Sequence, residues 1–365
     1  MFELGYEFED DCFKYVFIEI DGIQGWALKY KRGVKKFHCK NMEKGYPVIS
    51  LDGTFFQYGA FTIDVSGMDT SNVFIMYRTF DSCYADKLDL SHFDTRKVKT
   101  MEYMFYKCAA NTIDVSHFDT SQVQSMSYMF SESQVRALDL NHFDTSKVTN
   151  MSGMFCESQI ETLDVSHFDT SQVTDMYSMF YRCHIKTLDL SHFNTSSVTN
   201  MLNMFWFCEI TELDVSHFDT SQVRNMSGMF SGCQANSLDL SSFNTSNVVN
   251  MRHMFSYCKV PVLHLSHFDT RAVEYIDYMF YECKATILDL RSFQVNTFRY
   301  LENMFLDIYG TVLLGDTCLQ NLLENNGYTT IEVTEHEMDL NNIEEMIDSL
   351  KMLGITKLCL KILTN

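Results

Sequence analysis

The sequence contains little of what marks flexible linkers, membrane spans or exported chains. Only 2 prolines and 15 glycines occur among its 365 residues, which argues against long flexible linkers. It has no uninterrupted apolar run of about 18 residues, so no membrane-spanning segment is predicted. The N-terminal stretch MFELGYEFEDDCF lacks the basic and apolar regions of a signal peptide. We therefore expect a cytoplasmic protein, with the cell surface, reached by an unrecognised export route, as the alternative.

Positive charge is also scarce. The formal net charge is −20 at pH 7, which argues against direct binding of nucleic acid through phosphate contacts. The same charge suits a protein partner with a basic surface, or simply keeps an apolar-rich chain in solution. Hydrophobic residues make up 46% of the chain, so it can bury a core.

Motifs for catalysis and cofactor binding are missing as well. The sequence has no CxxC pair, no glycine-rich phosphate loop and no zinc-hydrolase helix motif. Serine, histidine and aspartate are abundant, but they recur in repeat after repeat, so none marks a single active site. We therefore expect a non-enzymatic protein with no catalytic residue, no metal and no cofactor.

What the sequence does contain is one 25-residue unit that recurs ten times without insertions. Each unit opens with an alternation of apolar and polar residues, as in Leu88-Asp89-Leu90-Ser91. The units start at Ile63, Leu88, Ile113, Leu138, Leu163, Leu188, Leu213, Leu238, Leu263 and Leu288. Because one unit cannot cover its own apolar side chains, the units are expected to stack into a solenoid.

Each unit is predicted to form a short strand, a turn and a helix. The alternating start is typical of a strand with one buried face. After it, apolar residues fall on one helical stripe, for example Val98, Met101, Met104, Phe105 and Cys108. The Asp-Thr pair before this stripe could cap the helix. The expected fold class is therefore α/β: a right-handed leucine-rich-repeat solenoid of ten strand–helix units with a parallel sheet.

The repeated wording LDLSxFDTSxVTNMxxMFxxC resembles the BspA-like leucine-rich-repeat surface proteins, in particular their Met-Phe-rich subtype. The resemblance covers about residues 51–308. It implies a solenoid that binds other proteins, often as an adhesin. The chain departs from the pattern in carrying histidine in LSHF and in lacking an export signal or wall anchor.

Both ends of the repeat region are predicted to be capped. Residues 1–50 read as a β-rich cap, in which YVFIEIDGIQGWALKYK forms two strands joined near Asp21-Gly22 or Gln24-Gly25. Residues 51–310 form the solenoid, and its first residues, LDGTFF, are a half-repeat in register with the Met and Phe columns.

Residues 311–365 are predicted to form a C-terminal α/β cap. TVLL, TTIEV and KLCLKIL are expected as strands, with helices near 316–325 and 340–353. The segment 331–350 has acidic residues and no lysine or arginine, so it is either a solvated helix face or an acidic docking surface. Its acidic residues are Glu332, Glu335, Glu337, Asp339, Glu344, Glu345 and Asp348.

Two columns of chemically active residues follow the repeat. The first is a column of cysteines, predicted to be small buried core residues rather than metal ligands. The second is a column of histidines, which is either a structural feature of the turn or a ladder sensitive to metal or protons. The cysteines are Cys83, Cys108, Cys183, Cys208, Cys233, Cys258 and Cys283. The histidines are His92, His117, His142, His167, His192, His217 and His267.

Positions that break the repeat indicate where a partner could bind. Two consecutive units carry Tyr177, Tyr181, Leu202, Trp206 and Phe207 where most units are polar. On a helix the two positions of each unit would be neighbours on one face, and such aromatic clusters are typical of binding hot spots. The alternative is that these side chains pack over the core edge.

The sheet face is the other candidate surface, because leucine-rich repeats commonly bind there. It presents an almost uniform acidic column that would suit a long basic partner. Its members are Asp89, Asp114, Asp139, Asp164, Asp189, Asp214 and Asp239. A separate basic run, Lys29 to Lys36, is either a second contact or a strand edge protected by lysines.

These observations predict a protein-interaction scaffold. The first hypothesis is an intracellular binding or inhibitory protein that engages a basic partner. The second is a cell-surface adhesin of the BspA-like type.

Overall fold

A computed structural model describes residues 2–40, 42–294, 299–308, 310–315, 318–334, 347 and 357–363. The chain divides into two compact units, Met1–Asn194 and Thr195–Asn365. The two units are described separately below. In the described ranges, none of the helices has the length and apolar character needed to cross a membrane.

The first unit opens with a five-stranded sheet. Its strands are β1 (Glu7–Glu9), β2 (Phe13–Ile20), β3 (Ile23–Tyr30), β5 (Met42–Glu43) and β6 (Tyr46–Ser50), in the order β1-β2-β3-β6-β5. Strands β2 and β3 form an antiparallel hairpin that closes at Asp21-Gly22, where both residues have positive φ (51° and 77°). Such turns suit the twist of a hairpin, so the prediction of a join at Asp21-Gly22 is confirmed.

This sheet leads directly into the repeats. Strand β4 (Lys36–Cys39) pairs in parallel with β7 (Asp64–Met68). The Leu51 N–H donates to the Ile75 carbonyl and the Gly53 N–H to the Tyr77 carbonyl (2.9 and 2.8 Å). The segment that starts at residue 51 therefore forms the first, partial layer of the stack, as predicted.

The repeats of the first unit form a β-solenoid in which each 25-residue turn lies beside the next. Strand β8 (Lys87–Leu88) pairs in parallel with β9 (Thr112–Ile113), one repeat further on. Elsewhere the pairing reduces to single parallel bridges, such as Thr100 with Ser125 and Ala137 with Thr162. The predicted solenoid with parallel pairing is confirmed, but its strands are shorter than expected.

The prediction of a helix in each unit was wrong. The segment from Met101 to Cys108 consists of tight turns, in which the Met104 N–H donates to the Met101 carbonyl and the Cys108 N–H to the Phe105 carbonyl (3.2 and 3.1 Å). Tyr103 and Lys107 occupy the third position of these turns with φ of 55° and 52°, as in type II turns. The strand–helix leucine-rich repeat is therefore replaced by a solenoid of turns.

The hydrogen bonds between turns explain why the helix does not form. The N–H groups of Met101, Tyr103, Phe105 and Lys107 donate to carbonyls of the next turn at 2.9–3.1 Å. A helix would direct these groups to carbonyls four residues earlier in the same segment. A left-handed backbone costs a non-glycine residue about 1–2 kcal/mol, and hydrogen bonds and packing between the turns offset this cost.

The predicted stripe nevertheless lies inside. Val98, Met101, Met104, Phe105 and Cys108 are each fully buried. The phenylalanines form a continuous ladder in which Phe80, Phe105, Phe130 and Phe155 lie nearly parallel, with ring centroids 5.5–6.2 Å apart. Two consecutive four-residue turns thus direct every third or fourth side chain inward, as a helix would.

The second unit repeats this architecture. Parallel bridges join Asn200, Asn225, Asn250, Tyr275 and Tyr300 in succession. Its phenylalanine ladder runs through Phe205, Phe230, Phe255, Phe280 and Phe305, with centroids 5.8–5.9 Å apart.

The second unit ends in a five-stranded parallel sheet. Its strands are β10 (Val262–His264), β11 (Ile287–Asp289), β12 (Thr311–Leu314), β13 (Thr329–Thr334) and β14 (Leu358–Leu363), in the order β10-β11-β12-β14-β13. Helix α1 (Cys318–Asn325) connects β12 to β13. The three predicted C-terminal strands and the first predicted helix are confirmed. The second predicted helix and most of the acidic segment lie outside the described residues.

Candidate functional site

The acidic column of each unit is built from Asp-x-Ser turns. In the first unit, Asp114 Oδ1 accepts hydrogen bonds from the backbone N–H and the hydroxyl of Ser116 (3.0 and 2.7 Å). Asp164 receives the same pair from Ser166 (3.0 and 2.7 Å). A short side chain that bonds the backbone two residues on is a turn-forming device. The aspartates therefore shape the turn at the surface, a role that the sequence analysis missed.

These hydrogen bonds act on the ionised form of the carboxyl group. Bonds from Ser116 lower the pKa of Asp114, and bonds from Ser166 lower the pKa of Asp164. Asp239 in the second unit has its pKa lowered by Ser241 in the same way. The carboxyl groups of Asp114, Asp164 and Asp239 therefore stay ionised at neutral pH.

All members of the predicted sheet-face surface are exposed. The first unit contains Asp89, Asp114, Asp139, Asp164 and Asp189, and the second contains Asp214 and Asp239. In each of them the Oδ1 atom receives the backbone N–H of the residue two positions on. Oδ1 of each carboxyl group therefore accepts the hydrogen bond that closes the turn, and Oδ2 takes no part in that bond.

In both units, arginine side chains form bidentate hydrogen bonds with nearby aspartates. Arg96 donates Nε to Asp94 Oδ1 and Nη2 to Asp94 Oδ2 (2.9 and 2.6 Å). In the second unit, Arg291 meets Asp289 in the same way (2.8 and 2.7 Å). A turn aspartate can thus keep its structural contact and still accept a guanidinium group.

Three consecutive members of the first unit's column lack such a cation. Among the described residues, no lysine or arginine forms an ion pair with Asp114, Asp139 or Asp164. The neighbouring Asp64, by contrast, has Lys36 Nζ 3.3 Å away. The first unit therefore presents a run of exposed carboxyl groups with which no described lysine or arginine forms an ion pair.

A threonine ladder lies beside a second line of acidic residues, which includes Asp94, Asp119 and Asp144. Thr95 Oγ1 donates to the Asp119 carbonyl and Thr120 Oγ1 to the Asp144 carbonyl, both at 2.9 Å. The second unit shows the same bond from Thr220 to Asn244 (3.0 Å). The Asp-Thr pair was predicted to cap a helix. It instead closes a turn, and its threonine hydroxyl donates a hydrogen bond to the next turn.

The histidine column is exposed, and two of its members bond to the backbone. His167 Nε2 lies 2.8 Å from the Leu140 carbonyl, and His267 Nε2 lies 2.8 Å from the Leu240 carbonyl. Because a carbonyl only accepts, the imidazole must donate through Nε2. These contacts favour the structural interpretation of the column. Within the described residues, no group of three or more His, Cys, Asp or Glu side chains is arranged to hold a metal.

The cysteine column lies in the core, as predicted. Its seven members are buried, and Ser133, which takes the same position in one turn, is buried as well. Burial raises the pKa of Cys283 to about 11 and raises the pKa of Cys258 above its usual value. The pKa values of Cys83 and Cys233 are instead lowered, because each thiol has a hydrogen bond with the neighbouring Cys108 or Cys208. All seven thiols are enclosed in the core, so this column serves packing.

The predicted aromatic patch does not lie on one helix face, because no helix forms there. Tyr177 and Tyr181 belong to turns of the first unit, and both are half-buried. Leu202, Trp206 and Phe207 belong to the second unit, where Phe207 is 39% exposed and the other two are half-buried.

In the second unit, the aromatic side chains cover glycines of the following turn. A Cβ added at Gly232 would lie 2.6 Å from the Phe207 ring, and one added at Gly228 would overlap Trp206. Beyond these glycines, Trp206 and Phe207 approach His253 and Tyr257 (centroids 6.0 and 5.7 Å). Packing over the edge of the turns therefore accounts for these two residues.

The same device occurs in the first unit, where Tyr128 covers Gly153. Burial is the main cause of a raised pKa at Tyr128, and Tyr177 contributes. The sequence carries a signal for this arrangement, because a glycine follows a bulky residue by one repeat at Tyr128–Gly153 and Phe207–Gly232. The sequence analysis did not use that signal.

Both units thus define a class, the β-solenoid repeat proteins. The family described as Mycoplasma protein of unknown function, DUF285, matches residues 32–137, 132–234 and 206–311. These matches span well over half of the chain, and the chain belongs to this family. Neither a curated protein nor a solved structure matches the chain.

Proposed function

We propose that the protein is a non-enzymatic scaffold whose acidic column binds an arginine-rich segment of a partner protein. The observation that carries this proposal is the run of exposed aspartate side chains at Asp114, Asp139 and Asp164. Their turn geometry is fixed by Oδ1, and no described cation neutralises them.

The intramolecular pairs indicate how a partner would dock. Arg96 and Arg291 show that a guanidinium group fits a turn aspartate with two parallel hydrogen bonds. Consecutive turns repeat the carboxylate at about the spacing of β-strands, ~4.8 Å. A partner segment in extended conformation would therefore meet one carboxylate per turn, and arginine would bind better than lysine because it donates two bonds.

The aromatic patch has a smaller part in this proposal. Trp206 and Phe207 already have a packing role over glycines of the next turn. Phe207 keeps 39% of its surface exposed and could add apolar contact in the second unit. The net charge of −20 also favours association with a basic partner over an acidic one.

The cellular location of this scaffold is also a proposal. We place it in the cytoplasm. The alternative is a BspA-like surface adhesin, which the resemblance of the repeat motif favours and which would use the same turns outside the cell. Fractionation with surface protease treatment separates the two, because only a surface protein would be cleaved on intact cells.

A peptide titration tests the binding proposal. A synthetic oligo-arginine peptide should bind the full chain by calorimetry, with an affinity that falls steeply as salt is raised. Oligo-lysine of equal length should bind at least about five-fold more weakly if two-pronged contacts are used. The variant Asp114→Asn/Asp139→Asn/Asp164→Asn should lose about ten-fold or more in affinity for oligo-arginine.

The matched control removes three charges elsewhere in the first unit, through Glu102→Gln, Glu132→Gln and Glu157→Gln. This variant changes the net charge by the same amount and should bind within about two-fold of the parent. Equal losses in both variants would mean that only the overall charge attracts the peptide, and the proposal would be wrong.

A further inference from the structure

A second surface in the first unit has the opposite charge. It is a cleft of about 780 Å³ between the loop that follows β3 and the first layers of the solenoid. Lys29, Arg32, Lys35 and Arg78 line it, against a single carboxylate, Asp52. In a chain with a net charge of −20, such a local excess of cations requires an explanation.

Three of these cations, Lys29, Arg32 and Lys35, form no ion pair with a described residue, whereas Arg78 Nε lies 3.4 Å from Asp81 Oδ2. Lys31 and Lys36, which flank Arg32 and Lys35 in the sequence, lie 3.3 Å from Glu9 and Asp64. Arg32 and Lys35 are exposed and form no ion pair with any described residue. The loop therefore directs one set of cations to structural ion pairs and leaves the other set open at the cleft.

The cleft is held in shape by hydrogen bonds that do not use these open cations. The Tyr58 hydroxyl lies 3.2 Å from the Val34 carbonyl and 2.9 Å from the Thr62 carbonyl. Lys29 Nζ donates to the Asp52 carbonyl at 2.6 Å and keeps further donors. Gly33 has φ of +90° with no atom near its Cβ position, so the loop backbone stays accessible at the rim.

Aromatic rings complete the lining. Phe56 is 40% exposed, and Tyr77 is half-buried with the Arg78 guanidinium 5.4 Å from its ring centroid. A flat ring can stack against such side chains, while nearby cations hold a charged group. The volume lies within the range of pockets for small organic ligands.

We propose that this cleft binds a nucleotide, with the phosphates on Arg32, Lys35 and Arg78 and the base against Phe56. The site is independent of the acidic column, because its residues and its charge are different. Isolated phosphate should bind only weakly, since it uses one half of the site.

Calorimetry with ATP, adenosine and inorganic phosphate as separate probes tests this proposal. ATP should bind the full chain with one site, and each of the other two probes should bind at least about ten-fold more weakly. The variant Arg32→Ala/Lys35→Ala should weaken ATP binding by about ten-fold or more. Phe56→Ala should weaken ATP binding and leave phosphate binding unchanged.

The control variant Lys97→Ala/Lys147→Ala removes the same charge from exposed turns and should bind ATP like the parent. No detectable ATP binding would overturn the proposal. So would equal losses in the two double variants, or phosphate binding as tight as that of ATP, because the cleft would then hold an adventitious ion only. Circular dichroism of each variant shows that it is folded before binding is compared.

Discussion

Each turn of the first unit has two sides that provide hydrogen-bond acceptors for their backbone N–H groups in different ways. On the Met–Phe side, the chain from Met126 to Ser133 bonds its N–H groups to the next turn or to carbonyls three residues back, and its apolar side chains are buried. On the acidic side, Asp114 and Asp164 close the turn with a side-chain oxygen and stay exposed. Stability is thus concentrated on one side, while charge is displayed on the other.

This difference teaches that a uniform repeat need not have a uniform role. The Met–Phe side is fixed by close packing, so changes there should affect folding. The acidic side needs only an acceptor atom at Oδ1, so its charge is free to serve another purpose. The predictions below test this division, starting with the largest expected effect.

Truncation of the buried ladder should have the largest effect. Phe130 is fully buried between Phe105 and Phe155, at centroid distances of 5.5 and 6.2 Å. Phe130→Ala should lower the free energy of unfolding by about 3–5 kcal/mol, because it leaves a cavity in the stack. Chemical denaturation measures this loss. The exposed Phe56 provides the control, and Phe56→Ala should cost less than about 1 kcal/mol.

Substitution of a glycine on the Met–Phe side should lower the free energy of unfolding by less than Phe130→Ala does. In Gly153→Ala the new Cβ would lie 2.5 Å from Tyr128 Cδ1, so the variant should lose about 1–3 kcal/mol of unfolding free energy. The double variant Tyr128→Ala/Gly153→Ala should show a favourable coupling of about 1 kcal/mol by denaturation.

The loss at Gly153 has two causes, the overlap with Tyr128 and a backbone with positive φ (60°). Gly45→Ala separates them. Gly45 also has positive φ (83°), but no atom lies near its Cβ position. Its substitution should cost only the left-handed backbone energy, about 1–2 kcal/mol. If Tyr128→Ala fails to relieve Gly153→Ala, the ring does not occupy the space described.

Acid should weaken the other side of the turn gradually. The pKa of Asp114, Asp144 and Asp164 is lower in the folded chain than the usual 3.8. Their contribution to stability is therefore complete above about pH 3.8 and is lost as pH falls through the lower folded values. Thermal melts should show a fall in Tm that begins near this pH. The fall should be smaller in the variant Asp114→Asn/Asp139→Asn/Asp164→Asn, which lacks two of these three carboxyl groups. A parent Tm that rises on acidification would contradict the assignment.

A surface contact between turns should have the smallest effect. Lys147 Nζ donates to Gln122 Oε1 across one repeat (2.9 Å), and both groups are exposed. Lys147→Ala should change the unfolding free energy by no more than about 0.5 kcal/mol. A larger loss in denaturation would mean that the exposed side of the turn also holds the stack together.

Much of this fold follows from the sequence alone. The period of 25 residues, the buried Met, Phe and Cys columns, the Asp21-Gly22 hairpin and the C-terminal strands were all predicted, because hydrophobic periodicity and turn residues determine them. The helix in each unit was predicted wrongly, because inward positions three and four residues apart also arise from two successive type II turns. Periodicity alone could not separate these two conformations.

The surface was predictable in composition but not in geometry. The exposed aspartates were identified, yet their role as turn formers depends on a serine or asparagine two residues on, as in Asp164 and Ser166. The aromatic patch was placed on a helix face, whereas Phe207 and Trp206 lie over glycines of the next turn. Such contacts join residues a whole repeat apart, which a local pattern does not reveal.

The central claim is that the acidic column shapes the turn through an acceptor atom and not through its charge. The parallel line of turn residues that includes Asp144 already contains such a substitution, because Asn244 Oδ1 accepts the N–H and hydroxyl of Ser246 (3.1 and 2.7 Å) as Asp144 Oδ1 accepts those of Ser146 (3.0 and 2.6 Å).

Thermal unfolding at neutral pH of two three-site variants tests this claim most directly. With asparagine at Asp114, Asp139 and Asp164, Tm should stay within about 3 °C of the parent. With alanine at the same sites, the lost turn bonds should lower Tm by about 5 °C or more. Equal losses in the two variants would show that charge holds the turn, and no loss in either would show that the turn bonds are dispensable.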